Sequence, residues 1–548
     1  MQISSIWSKW PWQAWLVATL LVMPLLFLIA TALQGSSDVF EHLWQTVLWD
    51  YSLNTVLLIV GVLLVSSILA LPLAWLVAYC EFPGRRHFSW ALMLPLAMPS
   101  YVIAYIYTDL LDYAGPVQVW LRAQFGWQSP DDYWFIDLRT LSGATLMLAL
   151  VLYPYLFLIF KTALREQSFK LLQAAQVMGH SPMASFFSVS LPLARGAIVA
   201  GLALIAMETM ADFATVHYFA VNTLTTAVYD TWLGYYSLPA AAKISALMLL
   251  LLFSLMALER VSRAGKVEHE RQAVRNEGQL YWLCGTKAWL ATGWAIMVLM
   301  LAFILPVLVL ADYALTYWQD AWQDEFARFA WQSLQVAMWV SAICVVLSTL
   351  LGFWQRFSTA PGSRLPARLA STGYALPGTV LAVAVLLPLT ALDNTLNEWF
   401  DGSQWQPGLL FSGTIFALIF AYVVRFFAVA QGAIEASYGK ISPSQDMASF
   451  SLGKGPWRTF WRVHVPLLRR GMLTAALLVF IESMKELPAA LLLRPFNFET
   501  LATHVYQYVS DEQLELAAFS ALLIVLVGLL PLYIINRSME SAGGKLRD

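Results

Sequence analysis

Gln173 opens the stretch QAAQVMGHSPMASFFSVSLPLARG, and Met447 opens MASFSLGKGPWRTFWRVHVPLLRR. At an offset of 274 residues the two stretches superimpose Gly179 on Gly453, Pro182 on Pro456, Pro192 on Pro466 and Arg195 on Arg469. The same offset carries Glu208 onto Glu482 and Asp212 onto Glu486. Farther on, TLTTAVY from Thr223 matches TLATHVY from Thr500, and upstream AMPSYV around Pro99 corresponds loosely to ALPGTV around Pro377. Self-similarity that recurs along the whole chain marks a duplication.

Each copy reads as helix, glycine, short helix. Gly179 and Gly453 can take the left-handed conformation that ends a helix. Ser181 and Pro182 then suit a new start, with Ser as cap and Pro in the first turn, and Pro456 repeats the device. A Leu-Pro or Val-Pro step leads into the next apolar run. Short helices carrying Met183, Phe186 and Phe187, or Trp457, Phe460 and Trp461, are suited to lie across a membrane surface and fill a partner's groove.

Composition puts these loops at a membrane. The 548 residues are 59% hydrophobic and 12% charged, with a mean hydropathy of +0.64. A soluble domain carries about 25% charged residues, so most of this exterior faces lipid. The 24 Trp often flank apolar runs, where an amphipathic ring suits the interface. A net charge of -2 argues neither for nor against nucleic acid, but no basic tail appears and no nucleic-acid partner is expected. Cys80, Cys284 and Cys344 have no metal-ligand spacing and make no disulfide framework.

A bilayer core needs about 20 apolar helical residues. Twelve runs answer, at 13–33, 55–79, 89–110, 141–160, 197–219, 240–258, 288–310, 334–353, 371–389, 412–430, 472–493 and 516–535. The first is too long for the core of a signal peptide and reads as a retained span. With the N-terminus in the cytoplasm, 25 of the 32 Lys and Arg fall on the cytoplasmic side, and only Arg122, Arg139, Arg328 and Arg494 fall outside. Both termini are then cytoplasmic. The expected fold is all-α and integral to the membrane, about twelve transmembrane helices as two six-helix repeats running in parallel. The first transmembrane domain is 1–260, a charged cytoplasmic linker 261–286, and the second domain 287–548.

The loops also carry a specific resemblance. Permeases of ABC importers have a loop of the form EAA, three residues, Gly, nine residues, Ile-x-Leu-Pro. Here Gln173-Ala174-Ala175 precedes Gly179 and VSLP, and Met447-Ala448-Ser449 precedes Gly453 and VHVP. Gln173 and Met447 stand where the family has Glu. Longer stretches, MLPLAMPSYVIAYIY, DFATVHYFAVNTLTTAVYDTW and MKELPAALLLRPFNFETLATHVY, look like the permeases of bacterial ferric-iron importers. The resemblance implies the type I ABC importer permease fold and a place in the bacterial inner membrane. It implies that the two loops, with Gln173, Ala174, Ala175, Gly179, Pro192, Met447, Ala448, Gly453 and Pro466, dock on two copies of a cytoplasmic ATPase. It also implies a periplasmic binding protein that delivers ferric iron. Thiamine, a phosphonate or another small anion is the alternative cargo.

Ionisable residues inside a membrane are costly and mark function by default. Glu208 with Asp212, and Glu482 with Glu486, are spaced i,i+4 and so are expected on one helix face each. They line a translocation path, with Tyr101, Tyr105 and Tyr107 adding phenol oxygens, or they form structural ion pairs, with Lys485 as one partner. No tightly bound metal is expected, and the seven His are scattered. The chain has no G-x-x-x-x-G-K-[ST] sequence and no catalytic constellation. It is therefore expected to be no enzyme, to bind no cofactor, and to take its energy from a partner that hydrolyses ATP. An ion-coupled secondary transporter would explain the acidic pairs but not the paired loops.

Overall fold

The computed structural model describes residues 12–34, 37–167, 175, 177–179, 181–263, 281–321, 324–358, 362–401 and 407–544. In lipid every backbone polar group must be satisfied within its own segment, which makes the apolar runs helices. Among the described residues ten helices are long and apolar enough to cross a membrane, and a bent pair makes an eleventh. The twelfth run lies in the helix Leu514–Gly544, whose shorter apolar part is Leu514–Leu530.

Several spans are interrupted, each for a local reason. The third is two pieces, Arg85–Ala97 and Ser100–Phe125, bent by 92°; Pro95 and Pro99 lack the N–H that would continue the ladder. The ninth opens with the 3-10 turn Ser371–Ala375, and its helix, Gly378–Trp399, starts only after Pro377. The fifth ends at Ala211 and the eleventh at Lys485, with short helices Ala214–Tyr218 and Pro488–Leu493 beyond the breaks.

The short helix after each glycine does not lie apart from its span. Pro182–Ser185 and Pro456–Thr459 run through the π turns Phe186–Ser190 and Phe460–His464 into Leu191–Ala211 and Val465–Lys485. A third π turn, Met300–Ile304, leads into Leu305–Thr316. In all three the closing N–H reaches back five residues, from Leu191 to Phe186, Leu305 to Met300 and Val465 to Phe460. In each case the next residue is a proline, Pro192, Pro306 or Pro466. A proline ring clashes with the carbonyl four residues back. One widened turn moves that carbonyl aside and keeps the helix continuous.

The chain packs as two compact units, and neither is a contiguous half. One comprises 1–45, 227–247 and 322–505; the other comprises 46–226, 248–321 and 506–548. In the first unit Trp12–Leu33 packs on Leu365–Ala370 and Gly378–Trp399. In the second, Leu305–Thr316 packs on Leu514–Gly544, and Leu48–Tyr79 runs along Leu141–Glu166. Each unit has thus taken the opening span of the other sequence repeat. The 1–260 and 287–548 boundaries divide the repeats in sequence, and the packing units cut across them. Of the linker, 264–280 lies outside the described residues; its end is a short strand, Tyr281–Trp282, paired in parallel with Cys80–Glu81.

Candidate functional site

Gly179 and Gly453 both have positive φ, +87° and +73°. This is the left-handed region where a Cβ is strained. Each glycine turns the chain from one helix into the next. In the second loop Pro443–Ser451 precedes the turn, capped by Ser442. In the first, Gln173 and Ala174 lie outside the described residues, and Ala175 is buried.

The side chains presented around the two glycines match. Met178 and Leu452 are 72% and 73% exposed, Met183 and Trp457 55% and 52%, and Phe187 and Trp461 60% and 56%. Each pair is related by the 274-residue offset. Met447 and Ala448 are also exposed. Phe186 and Phe460, expected to face a partner, are instead buried. They fill the base of the π turn, Phe186 against Trp75 and Phe160, and Phe460 against Phe353. A 3.6-residue helix cannot present both members of a Phe-Phe or Phe-Trp dipeptide to one side.

Beneath these surfaces the anchors differ. In the second loop Asp446 accepts from Arg356 Nε at 2.6 Å and bonds His464 Nε2 at 2.7 Å. Arg356 also donates to the carbonyls of Tyr438 and Ile441. Ser449 and Thr459 share a hydroxyl bond of 2.7 Å across the glycine turn. In the first loop Gln167 Nε2 donates to Ser190 O at 3.0 Å, while Tyr79 donates to Leu164 O and Gln167 Oε1. Asp446 stands one residue before Met447, so a buried carboxylate is present although the family's Glu is not. This cluster is not among the residues expected from the sequence; its signal is a carboxylate, an Arg and a His that a largely apolar protein places where chain segments meet.

The acidic pairs do not share a helix face. Asp212 and Glu486 are the C-cap residues of their helices, in extended conformation, and their side chains turn onto the next helix. Asp212 accepts from Thr215 N (3.0 Å), Thr215 Oγ1 (3.1 Å) and Ser100 Oγ (2.6 Å). Glu486 accepts from Ala489 N at 3.2 Å and pairs with Arg425 Nε at 3.2 Å. Tyr422 donates to the Glu486 carbonyl, and Arg425 to Leu376 O. A carboxylate at a helix N-terminus complements the orphan N–H groups there.

Both carboxylates also touch the start of the helix that follows the Pro99 or Pro377 step. Ser100 sends its hydroxyl to Asp212. At the matching place Gly378 has no side chain, and a Cβ there would lie 2.6 Å from Glu486 Oε1. The two breaks are therefore the same clamp built from different donors. Glu208 and Glu482, one turn earlier, are half-buried. Tyr101 packs edge-on against Tyr506. Tyr105 donates to Glu512 O and contacts Glu515, and Tyr107 donates to Leu301 O. Among the described residues no three His, Cys, Asp or Glu are grouped to hold a metal ion.

The architecture is that of a duplicated multi-span membrane protein with one glycine-turned loop of fixed form per half. The family model described as binding-protein-dependent transport system inner membrane component matches it twice, over 70–265 and 345–542. The chain belongs to that family of membrane permeases. It is 24% identical over 531 residues to the Fe(3+)-transport system permease protein FbpB 2 of Haemophilus influenzae, covering 95% of this chain and 96% of that protein. It is 22% identical to the ferric transport system permease protein FbpB of Actinobacillus pleuropneumoniae, over 79% of this chain and 63% of that protein. It is 29% identical to the molybdenum transport system permease protein ModB of Escherichia coli K12, over 32% of this chain and 75% of that protein.

Proposed function

We propose that this chain is the membrane-spanning subunit of an ATP-driven importer that carries ferric iron, delivered outside by a binding protein, into the cytoplasm. Two copies of an ATPase subunit dock on the loops around Gly179 and Gly453, and both termini lie on that side. The observation that carries the reading is the matched exposed triplet, Met178, Met183 and Phe187 against Leu452, Trp457 and Trp461. Two equivalent apolar surfaces on the loops of a duplicated chain call for two equivalent partners. Ferric iron is supported by the likeness to the Haemophilus protein, which extends over nearly the whole of both chains.

Asp212 and Glu486 serve this function as clamps that fix the helix breaks, because their oxygens are already engaged by donors of their own unit. The chain itself supplies no ATP chemistry and holds no cofactor; ATP is used by its partner.

The test is uptake of radioactive ferric iron by cells with and without the chain, the ATPase and binding protein being present. Uptake should vanish on deletion and return with the intact chain but not with Gly453→Asp. Unchanged iron uptake on deletion would move the cargo to thiamine, a phosphonate or another small anion.

A further inference from the structure

The repeated turns TLTT from Thr223 and TLAT from Thr500 lie outside the docking loops; in the first, Thr225 Oγ1 also donates to the carbonyl of the clamp residue Asp212 at 3.2 Å. Both fold the same way: Thr223 N–H donates to Thr226 Oγ1 at 2.9 Å, and Thr500 N–H to Thr503 Oγ1 at 2.8 Å. Each then hooks onto a long helix of its own unit. Leu224 N–H donates to Thr55 Oγ1 (2.9 Å) of Leu48–Tyr79, and Asn54 Nδ2 reaches Asn222 O (3.0 Å). In the other unit Leu501 N–H donates to Ser333 Oγ (2.7 Å) of Asp324–Phe357, and Glu499 N–H to Gln332 Oε1 (3.2 Å). Thr55 and Ser333 are buried, so no water can replace the lost partner.

The far ends of the same two helices hold the docking loops. Tyr79 reaches Ser190 through Gln167, and Arg356 reaches His464 through Asp446. Ser190 and His464 are the last residues of the two π turns and coincide at the 274-residue offset. With 32 and 34 residues, the helices are about 48 Å and about 51 Å long. Each is pinned by a TL-x-T turn near one end and by a π turn, where the helix register is already one residue wide, at the other.

We infer that the hydroxyls of Thr55 and Ser333 set how strongly the loaded binding protein stimulates the partner ATPase, because each fixes the outer turn to a helix whose far end holds a docking loop. Thr55 and Ser333 are the positioning residues at the outer hooks. The inference rests on the importer reading, which supplies the partner whose rate is read.

The test uses the chain reconstituted in nanodiscs with its ATPase and loaded binding protein. Thr55→Val and Ser333→Ala should each leave the basal ATPase rate unchanged and cut its stimulation by the binding protein about fivefold, the low end of ordinary coupling energies. Thr55→Ser and Ser333→Thr should restore it. Stimulation that survives both hydroxyl deletions overturns the inference. So does a parallel fall of basal and stimulated rates, which would make the hooks mere folding contacts. If the intact complex shows no stimulation, the importer reading fails instead, and the chain alone still decides whether the hook acts on the far end of its helix. Ser333→Ala should then raise amide hydrogen exchange at 443–464 as well as at 499–503, and a rise confined to 499–503 overturns the inference.

Discussion

The loop around Gly179 and the loop around Gly453 share a backbone and a surface but not an interior. Both turn at a left-handed glycine, pass through a π turn that ends one residue before a proline, and expose the same three positions. Beneath, the first is held by Tyr79, Gln167 and packed Phe186, and the second by the buried cluster Arg356, Asp446 and His464. The clamps at the helix breaks repeat the contrast. Asp212 is held by hydroxyl and amide donors, and Glu486 by an amide and a guanidinium. The offset puts Val151 where the second half has Arg425. On the proposed reading, a duplicated protein that meets two like partners keeps its outside; its interior is free to change so long as every buried charge keeps its own partner.

That contrast predicts unequal costs for equivalent deletions. Asp446→Ala leaves Arg356 buried without its carboxylate and should cost about 3–5 kcal/mol. Gln167→Ala removes neutral hydrogen bonds and should cost about 1 kcal/mol. Thermal unfolding in nanodiscs measures both, and equal shifts would erase the distinction between the loops. The clamps sharpen it next. Arg425→Met should destabilise by about 3 kcal/mol, and adding Glu486→Gln should recover most of the loss, because a neutral pair bears no uncompensated charge. Asp212→Asn, which keeps an acceptor among the same donors, should cost about 1 kcal/mol. The smallest difference is expected in the shared part. Gly179→Ala and Gly453→Ala should cost the same, about 1–2 kcal/mol, since both glycines are left-handed and a Cβ at either meets nothing within 4 Å. A clear difference between them would mean that the turns are not equivalent.

Much of this was legible in the sequence because it lives on the backbone or the surface. Gly179 and Gly453, Pro192 and Pro466, and the exposed Met183 and Trp457 are fixed by local geometry, and a repeat offset finds them. The breaks were only half legible. Pro488 warns that the eleventh span stops near Glu486, but no residue after Asp212 announces the same stop, and the i,i+4 spacing of the acids invited a continuous helix. Arg356, Asp446 and His464 lie up to 108 residues apart, and a single sequence does not say that they meet. The exchange of opening spans was also hidden, since apolar runs of like length carry no mark of the helix they pack against.

The most direct test of two equivalent docking loops is the mass of the purified complex between this chain and its ATPase. Two ATPase copies per chain are expected, with one lost in Met183→Glu/Phe187→Glu and the other in Trp457→Glu/Trp461→Glu. A chain that purifies with a single copy or none, or that keeps both copies in either charged variant, would contradict the account.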